Sequence, residues 1–210
     1  ARHFTIDGVG AYSLLGGGYA GITVRENDKL TLTNLNEIKG FSANAVTVNN
    51  GGELVIAGRN DGTTFGSGIS NSGTLTVTNG KVVMNAAVTN VSEQGTMKIG
   101  AAEVEMNGNT LKQKTLSITD IAGKLTVQAD KLTLKDTDIA NTGTLVLTGG
   151  ATMPATAVTF AHNITGTGTW EMGTNANVEL GADNTVTNSV IVNDSAQLNV
   201  IATGAKLNNY

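Results

Sequence analysis

Several residue types on which many proteins depend are scarce or missing in this chain. Its 210 residues include no cysteine and one proline, and aromatic residues make up 4% of the sequence. The lack of cysteine excludes disulfides, thiolate nucleophiles and cysteine-bound zinc. A chain this poor in aromatic side chains must build its core from small aliphatic residues, which pack well between closely stacked strands. The composition therefore disfavours an ordinary globular enzyme.

Charged residues and long apolar runs are also in short supply. Charged residues make up 14% of the sequence, the 13 lysines and arginines are scattered, and the formal net charge is −4. A protein that binds nucleic acid needs a concentrated basic surface, so we expect no nucleic-acid partner. The apolar runs are far shorter than the roughly 18 residues that span a bilayer, so no membrane insertion of this segment is expected.

A short phrase, a glycine followed by alternating apolar and polar residues, recurs along the chain. Since strand side chains alternate between two sides, each phrase predicts a strand with one apolar face. Such repetition is typical of stacked architectures, in which neighbouring units bury each other's apolar faces. The clearest copies begin at Gly51, Gly73, Gly95, Gly123, Gly143 and Gly168.

The spacing of these phrases predicts an all-β fold, a right-handed single-stranded parallel β-helix. The apolar triplets fall into pairs, such as those centred at Thr23 and Thr31, and the pairs recur about every 20–29 residues. Connections between parallel strands of one sheet are right-handed in nearly all proteins, which predicts the hand of the coil. We expect residues 1–210 to form a single β-helix segment within a longer surface protein.

The alternation also predicts which side chains lie inside the coil and how the coil ends. Residues 1–24 should form the first turn and residues 188–210 the last. Because an open turn exposes unpaired strand edges, we expect further turns, another domain or a neighbouring subunit to cover each end. The predicted core includes Leu75, Val77, Leu125, Val127, Leu145 and Leu147, and the predicted outward residues include Thr76, Thr126 and Val146.

The clearest internal repeat is Ile-x-Asn-x-Gly-Thr-Leu, which occurs at residues 69–75 and 139–145. With this repeat, the opening Phe4–Gly8 and the strand Leu30–Leu35, the chain resembles bacterial autotransporter passenger domains and related β-helical adhesins. The resemblance implies a non-enzymatic rod, at the cell surface or secreted, that binds a receptor or glycan on a host or bacterial surface. It implies no particular ligand, because such repeats encode stacking rather than an activity.

Polysaccharide-active enzymes also use this fold and form one alternative. Glycoside hydrolysis usually requires two carboxylates that face each other. Glu171 and Glu179 are expected on successive faces of one turn, where they point apart, and His162 is expected in a corner rather than in a catalytic group. The sequence therefore predicts no catalytic residue, no cofactor and no metal site.

One interval between neighbouring triplets, from Val55 to Thr76, is predicted to be the longest insertion. Loops on a rigid scaffold often carry binding residues, so this loop is a candidate ligand contact. The alternative is a solvated excursion with its aromatic residue folded back on the rod. The candidate residues are Arg59, Asn60, Asp61 and Phe65.

Two further expectations concern Trp170 and the ends of the rod. Trp170 occupies an inward triplet position, which predicts core packing rather than stacking on a carbohydrate. The uncovered ends leave open a second alternative function, a self-assembling fibre or surface-layer subunit in which copies of the chain associate end to end.

Overall fold

The computed structural model is a parallel β-solenoid of about nine turns, and it describes residues 1–90, 94–181, 183–200 and 206–207. The described residues contain 26 strands and one short 3-10 helix, Ala129–Lys131. Every pairing between these strands is parallel. No helix in the described part of the chain is long and apolar enough to cross a membrane. The predicted parallel β-helix is thereby confirmed.

Each turn contributes one strand to each of three faces, which we number 1 to 3 in the order the chain visits them. Two long strands, β10 and β12, bend at a corner and serve faces 1 and 2 in succession. Face 1 consists of β1 (His3–Asp7), β4 (Lys29–Thr33), β7 (Glu53–Ala57), the first parts of β10 (Thr74–Met84) and β12 (Thr96–Glu105), β14 (Thr115–Ile118), β17 (Asp138–Asn141), β20 (Asn163–Thr165), β23 (Thr185–Val186) and β26 (Lys206–Leu207).

The other two faces are built in the same way. Face 2 consists of β2 (Leu14–Leu15), β5 (Glu37–Lys39), β8 (Thr63–Phe65), the second parts of β10 and β12, β15 (Lys124–Gln128), β18 (Thr144–Thr148), β21 (Thr169–Met172) and β24 (Ser189–Val192). Face 3 consists of β3 (Ile22–Val24), β6 (Asn44–Val48), β9 (Gly68–Asn71), β11 (Val88–Thr89), β13 (Leu111–Gln113), β16 (Leu132–Leu134), β19 (Val158–Phe160), β22 (Asn177–Leu180) and β25 (Gln197–Val200).

Turn length ranges from 19 to 27 residues, so the sequence pattern overstated its upper limit. On face 1 the paired residues Thr5 and Thr31 are 26 positions apart, whereas Lys98 and Ser117 are 19 apart. The longest predicted spacings, 28 and 29 residues, are wrong because they compare strands on different faces. Thr126, for example, pairs with Glu105 on face 2 and not with Lys98 on face 1.

The repeated phrase changes face partway along the rod, which explains this error. In the middle of the chain the phrase introduces strands of face 1, and from turn 6 to turn 8 it introduces strands of face 2. The two sets of glycines that precede these strands are Gly52, Gly73 and Gly95 for face 1, and Gly123, Gly143 and Gly168 for face 2.

The core is a stack of aliphatic side chains from the inward positions of all three faces. All six side chains predicted to be inside are buried, and Trp170 is fully buried as well. Thr76 and Thr126 lie on the outside and are half-buried. Val146 was predicted to face water, but it is 5% exposed. It lies between Thr126 and Glu171 in the outer row of face 2, and the absence of a side chain on Gly173 leaves room for one of its methyl groups.

Face 3 is interrupted between turns 6 and 7. Within the described residues no pairing joins β16 to β19, whereas faces 1 and 2 continue through the same two turns. The chain between β18 and β19, residues 149–157, makes an excursion that contains Pro154. The Asn177 amide donates to the Pro154 carbonyl at 2.9 Å, so the excursion is held against turn 8.

The first turn, predicted at residues 1–24, is confirmed as β1 to β3. Residues 188–200 contain β24 and β25 of the ninth turn, and β26 begins another. The rest of the predicted last turn, 201–205 and 208–210, lies outside the described residues. At about 4.8 Å per turn the rod is roughly 40 Å long.

Candidate functional site

Three of the four predicted ligand-contact residues lie in a tight corner between β7 and β8. Arg59 is half-buried, while Asn60 and Asp61 are exposed. The Arg59 Nε donates to an Asp61 carboxylate oxygen at 2.7 Å, and a second guanidinium nitrogen donates to the other oxygen. The guanidinium also donates to the Gly10 carbonyl, two turns earlier in the rod. Arg59 therefore fixes this corner by engaging both carboxylate oxygens of Asp61, and the Asn60 side chain is exposed beside them.

The electrostatics of the corner follow from these contacts. The hydrogen bonds with Arg59 hold the pKa of the Asp61 carboxyl below its ordinary value, and the same contacts raise the pKa of Arg59. Both groups stay charged at neutral pH. Since the Asp61 carboxylate is exposed to solvent, the pair contributes little to stability and serves mainly to fix the shape of the corner.

Phe65 does not belong to this surface, and its assignment as a ligand contact is wrong. It lies in β8, pairs with Ile38 and Met84 in neighbouring turns, and is fully buried. The predicted long insertion is wrong for the same reason. The interval between Val55 and Thr76 contains β8 and β9, the face 2 and face 3 strands of turn 3. The fourth candidate is a core residue.

The structure shows a second exposed surface that the sequence pattern missed. Tyr12 and Tyr19 flank β2 at its two ends, and Leu15 projects from this strand, so that all three are more than 60% exposed. The next turn places the ion pair of Glu37 and Lys39, 2.7 Å apart, beside them. The sequence around Tyr12, Leu15 and Tyr19 resembles that of other corners. Only their exposure in the structure distinguishes these residues.

The same end of the rod has an open cavity of about 500 Å³. Its lining includes inward-facing side chains of turn 1, among them Phe4, Ile6, Ile22 and Val24. Equivalent positions in later turns are covered by the next layer of side chains. The cavity is therefore the uncovered cross-section of the core.

Glu171 and Glu179, the two carboxylates that the sequence analysis weighed, do not face each other as a glycosidase pair would. Glu171 lies on face 2 and Glu179 on face 3, and the Glu171 carboxylate accepts a hydrogen bond from Asn193 at 2.8 Å. Glu105, on face 2, is three turns from Glu171, or about 14 Å. Paired glycosidase carboxylates lie about 5–9.5 Å apart. In the part of the chain that the structure describes, no three histidine or acidic side chains converge on a common point.

His162 lies in the corner between β19 and β20, where the sequence placed it. Its ring meets the edge of Phe160 at 5.1 Å between centroids, and Phe160 stacks on Trp170. Partial burial lowers the pKa of His162, against the effect of a hydrogen bond with the backbone of Asp136. The histidine is neutral at pH 7 and packs as an aromatic residue.

Comparisons with known proteins give no relative: no family model, no curated protein and no solved structure matches this chain. The parallel β-solenoid is compatible with a β-helical passenger domain.

Proposed function

We propose that this chain is a non-enzymatic rod of the adhesin type, resembling autotransporter passenger domains, that is displayed at the cell surface or secreted. It binds a receptor or glycan on a host or bacterial surface. The observation that supports this most is the continuity of faces 1 and 2, whose strands pair from turn 1 to turn 9. A scaffold of this kind holds outward side chains in fixed rows and keeps corners such as Arg59–Asp61 at defined positions.

The distribution of the acidic residues supports binding rather than turnover. Glu171 and Glu179 point from different faces, and Glu171 is already paired with Asn193. A hydrolase of this fold needs two carboxylates on either side of one sugar linkage.

Adhesion of coated beads tests this function. Beads that carry the folded chain should adhere to cultured host cells or bacteria, and soluble chain should compete for the same sites. Beads coated with heat-denatured chain are the control. Adhesion no greater than that of the control would contradict the proposal. Enzymatic activity would contradict it as well: the chain would release reducing sugar from pectin, alginate or host glycans, and Glu171→Gln or Glu179→Gln would abolish this release.

A second candidate function, a subunit that assembles end to end, is favoured by the open cavity at turn 1. An apolar cross-section with unpaired strand edges is a template for another solenoid end. If it acts in this way, sedimentation should show concentration-dependent filaments. Phe4→Asp, in the cavity lining, should abolish them, whereas Ile121→Asp, at an 84% exposed corner position, should not. Monomers at all concentrations would exclude this function.

A further inference from the structure

A small groove lined by both polar and apolar atoms lies on face 2 where turns 5, 6 and 7 stack. Its volume is about 190 Å³, enough for roughly six water molecules. Glu105 and Thr126 are partners in adjacent strands of the groove, and so are Gln128 and Thr148. Asn107 and Gly108, in the corner after β12, form its side wall, and the buried Val127 contributes to its lining.

The wall of the groove is held in place before any ligand binds. The Asn109 amide donates to three carbonyls, those of Met84, Met106 and Asn107, at 3.0, 3.1 and 3.2 Å. The Asn107 amide donates to the Asn85 side chain at 2.6 Å. A site with fixed walls loses little conformational entropy on binding, which favours affinity.

Gly108 keeps the groove open. Its φ of +75° belongs to the left-handed region, where side chains are unfavourable. A Cβ at this position would lie 3.3 Å from the Gln128 amide nitrogen. Because residue 108 is glycine, no side chain from this corner crowds the Gln128 amide.

Three of the polar side chains in the groove have no hydrogen-bond partner among the residues that the structure describes. In the described residues, the hydroxyls of Thr126 and Thr148 and the amide of Gln128 take part in no hydrogen bond, although all three residues are half-buried. Gln128 offers both donors and an acceptor, and each hydroxyl offers one donor and an acceptor. Together they present a concave set of mixed hydrogen-bonding groups.

The charge of the groove is close to balanced. Glu105 provides its carboxylate, and the Lys81 ammonium lies 3.7 Å from that carboxylate. The lining contains no cation that would select phosphate or sulfate, and a single partly neutralised carboxylate is a weak site for a metal ion. Mixed donors and acceptors without a net charge match the vicinal hydroxyls of an uncharged sugar ring.

We propose that this groove binds one hexose-sized unit of a neutral glycan, with Glu105, Gln128 and Thr148 making hydrogen bonds to its hydroxyls. This inference rests on the proposed adhesin function, for which it supplies the class of ligand. The ligand unit lies across face 2, and the rest of the glycan extends along the rod or into solvent.

Saturation-transfer NMR tests the groove, with the methyl glycosides of glucose, galactose and mannose as probes and N-acetylneuraminic acid as the charged comparison. At least one neutral hexoside should receive saturation from the wild-type chain. Gln128→Ala and Thr148→Val should weaken its binding by roughly tenfold, because each removes hydrogen bonds that the free protein does not satisfy internally. Thr76→Val, at an outward position of face 1, is the matched control and should leave binding unchanged.

The outcomes separate this inference from the proposed function. Absence of hexoside binding, preference for the charged sugar, or equal affinity in Gln128→Ala would overturn the groove as a site. Adhesion of wild-type beads in that case would still support the adhesin rod. Hexoside binding that depends on Gln128, without bead adhesion, would support the groove and contradict the adhesin. Thermal unfolding of each variant verifies that it remains folded.

Discussion

Asn71 and Asn141 make the same hydrogen bond at two different corners of the rod. The Asn71 amide donates to the Thr96 carbonyl at 3.0 Å, and the Asn141 amide donates to the Thr169 carbonyl at 2.8 Å. In each case the acceptor is the first residue of a strand, β12 or β21. That strand lies one turn beyond the strand that directly follows the asparagine. Asn71 lies between faces 3 and 1, however, whereas Asn141 lies between faces 1 and 2. The repeated motif thus specifies a corner, and it does not specify which corner.

Both asparagines are buried, so we expect their amides to be required for stability. Asn71→Ala should lower the free energy of unfolding by about 1–3 kcal/mol, because a carbonyl inside the rod loses its donor and a cavity forms. Urea unfolding followed by circular dichroism measures this loss. Asn36→Ala, at an exposed corner position, is the control and should change stability by less than about 0.5 kcal/mol. Equal effects of the two substitutions would contradict the role of the motif.

This pair also shows how far the sequence predicts the fold. Alternation and glycine spacing depend on local geometry, so the stacked strands and core residues such as Leu75 and Leu145 could be predicted. The assignment of strands to faces depends on which strands lie next to each other, and the motif at Asn71 and Asn141 is locally identical on different faces. The upper limit of the period was therefore overestimated.

The candidate site was predicted less well than the fold, for a related reason. Arg59 and Asp61 are polar residues in a turn, and the structure places Asp61 at the surface and Arg59 half-buried. Phe65 follows two threonines and resembles a loop residue, but Thr63 and Phe65 are the inward positions of β8. The groove around Gln128 depends on three turns stacking in one register, which no single stretch of sequence reveals.

Gly143 should tolerate no side chain, because a Cβ there would lie 2.1 Å from the Gly123 carbonyl oxygen in the turn below. We expect Gly143→Ala to destabilise the rod by more than about 2 kcal/mol, since the backbone of one turn must move away from the other. Gly150→Ala is the matched control, because a Cβ at that position would have no other atom within 4 Å. Chemical denaturation that shows equal stability for the two variants would contradict the close stacking at this corner.

Val9 has a φ of +48°, which is unfavourable for a β-branched residue, and its side chain is 75% exposed. Val9→Asn should therefore stabilise the protein by about 1 kcal/mol, because asparagine adopts the left-handed region at lower cost. The expected rise in the thermal midpoint is about 2–4 °C. Val9→Ala, which has no such preference, should give a smaller rise. A thermal midpoint for Val9→Asn at or below that of Val9→Ala would show that the backbone is not strained here.

His162 should make stability fall under mildly acidic conditions. Desolvation lowers its pKa in the folded state, so the unfolded chain, with a histidine pKa of about 6.5, binds the proton more readily. The neutral ring contributes fully to the free energy of unfolding above pH 6.5. This contribution decreases as the pH falls through that value towards the pKa of the folded state. Between pH 8 and pH 5, the thermal midpoint of wild type should decrease more than that of His162→Gln, with His3→Gln as the control. Parallel curves for wild type and His162→Gln would contradict this assignment.

The placement of the groove depends on the register of face 2, and engineered disulfides test this register most directly. The chain has no cysteine of its own, so two introduced thiols report only on each other. Glu105 and Thr126 are direct partners in adjacent parallel strands, at a separation of about 4.8 Å that suits a disulfide. After mild oxidation, thiol titration should find no free thiol in the Glu105→Cys/Thr126→Cys variant and two in the Lys98→Cys/Thr126→Cys variant. Cross-linking of the second pair but not the first would contradict the register, the change of face by the repeated motif, and the groove that depends on both.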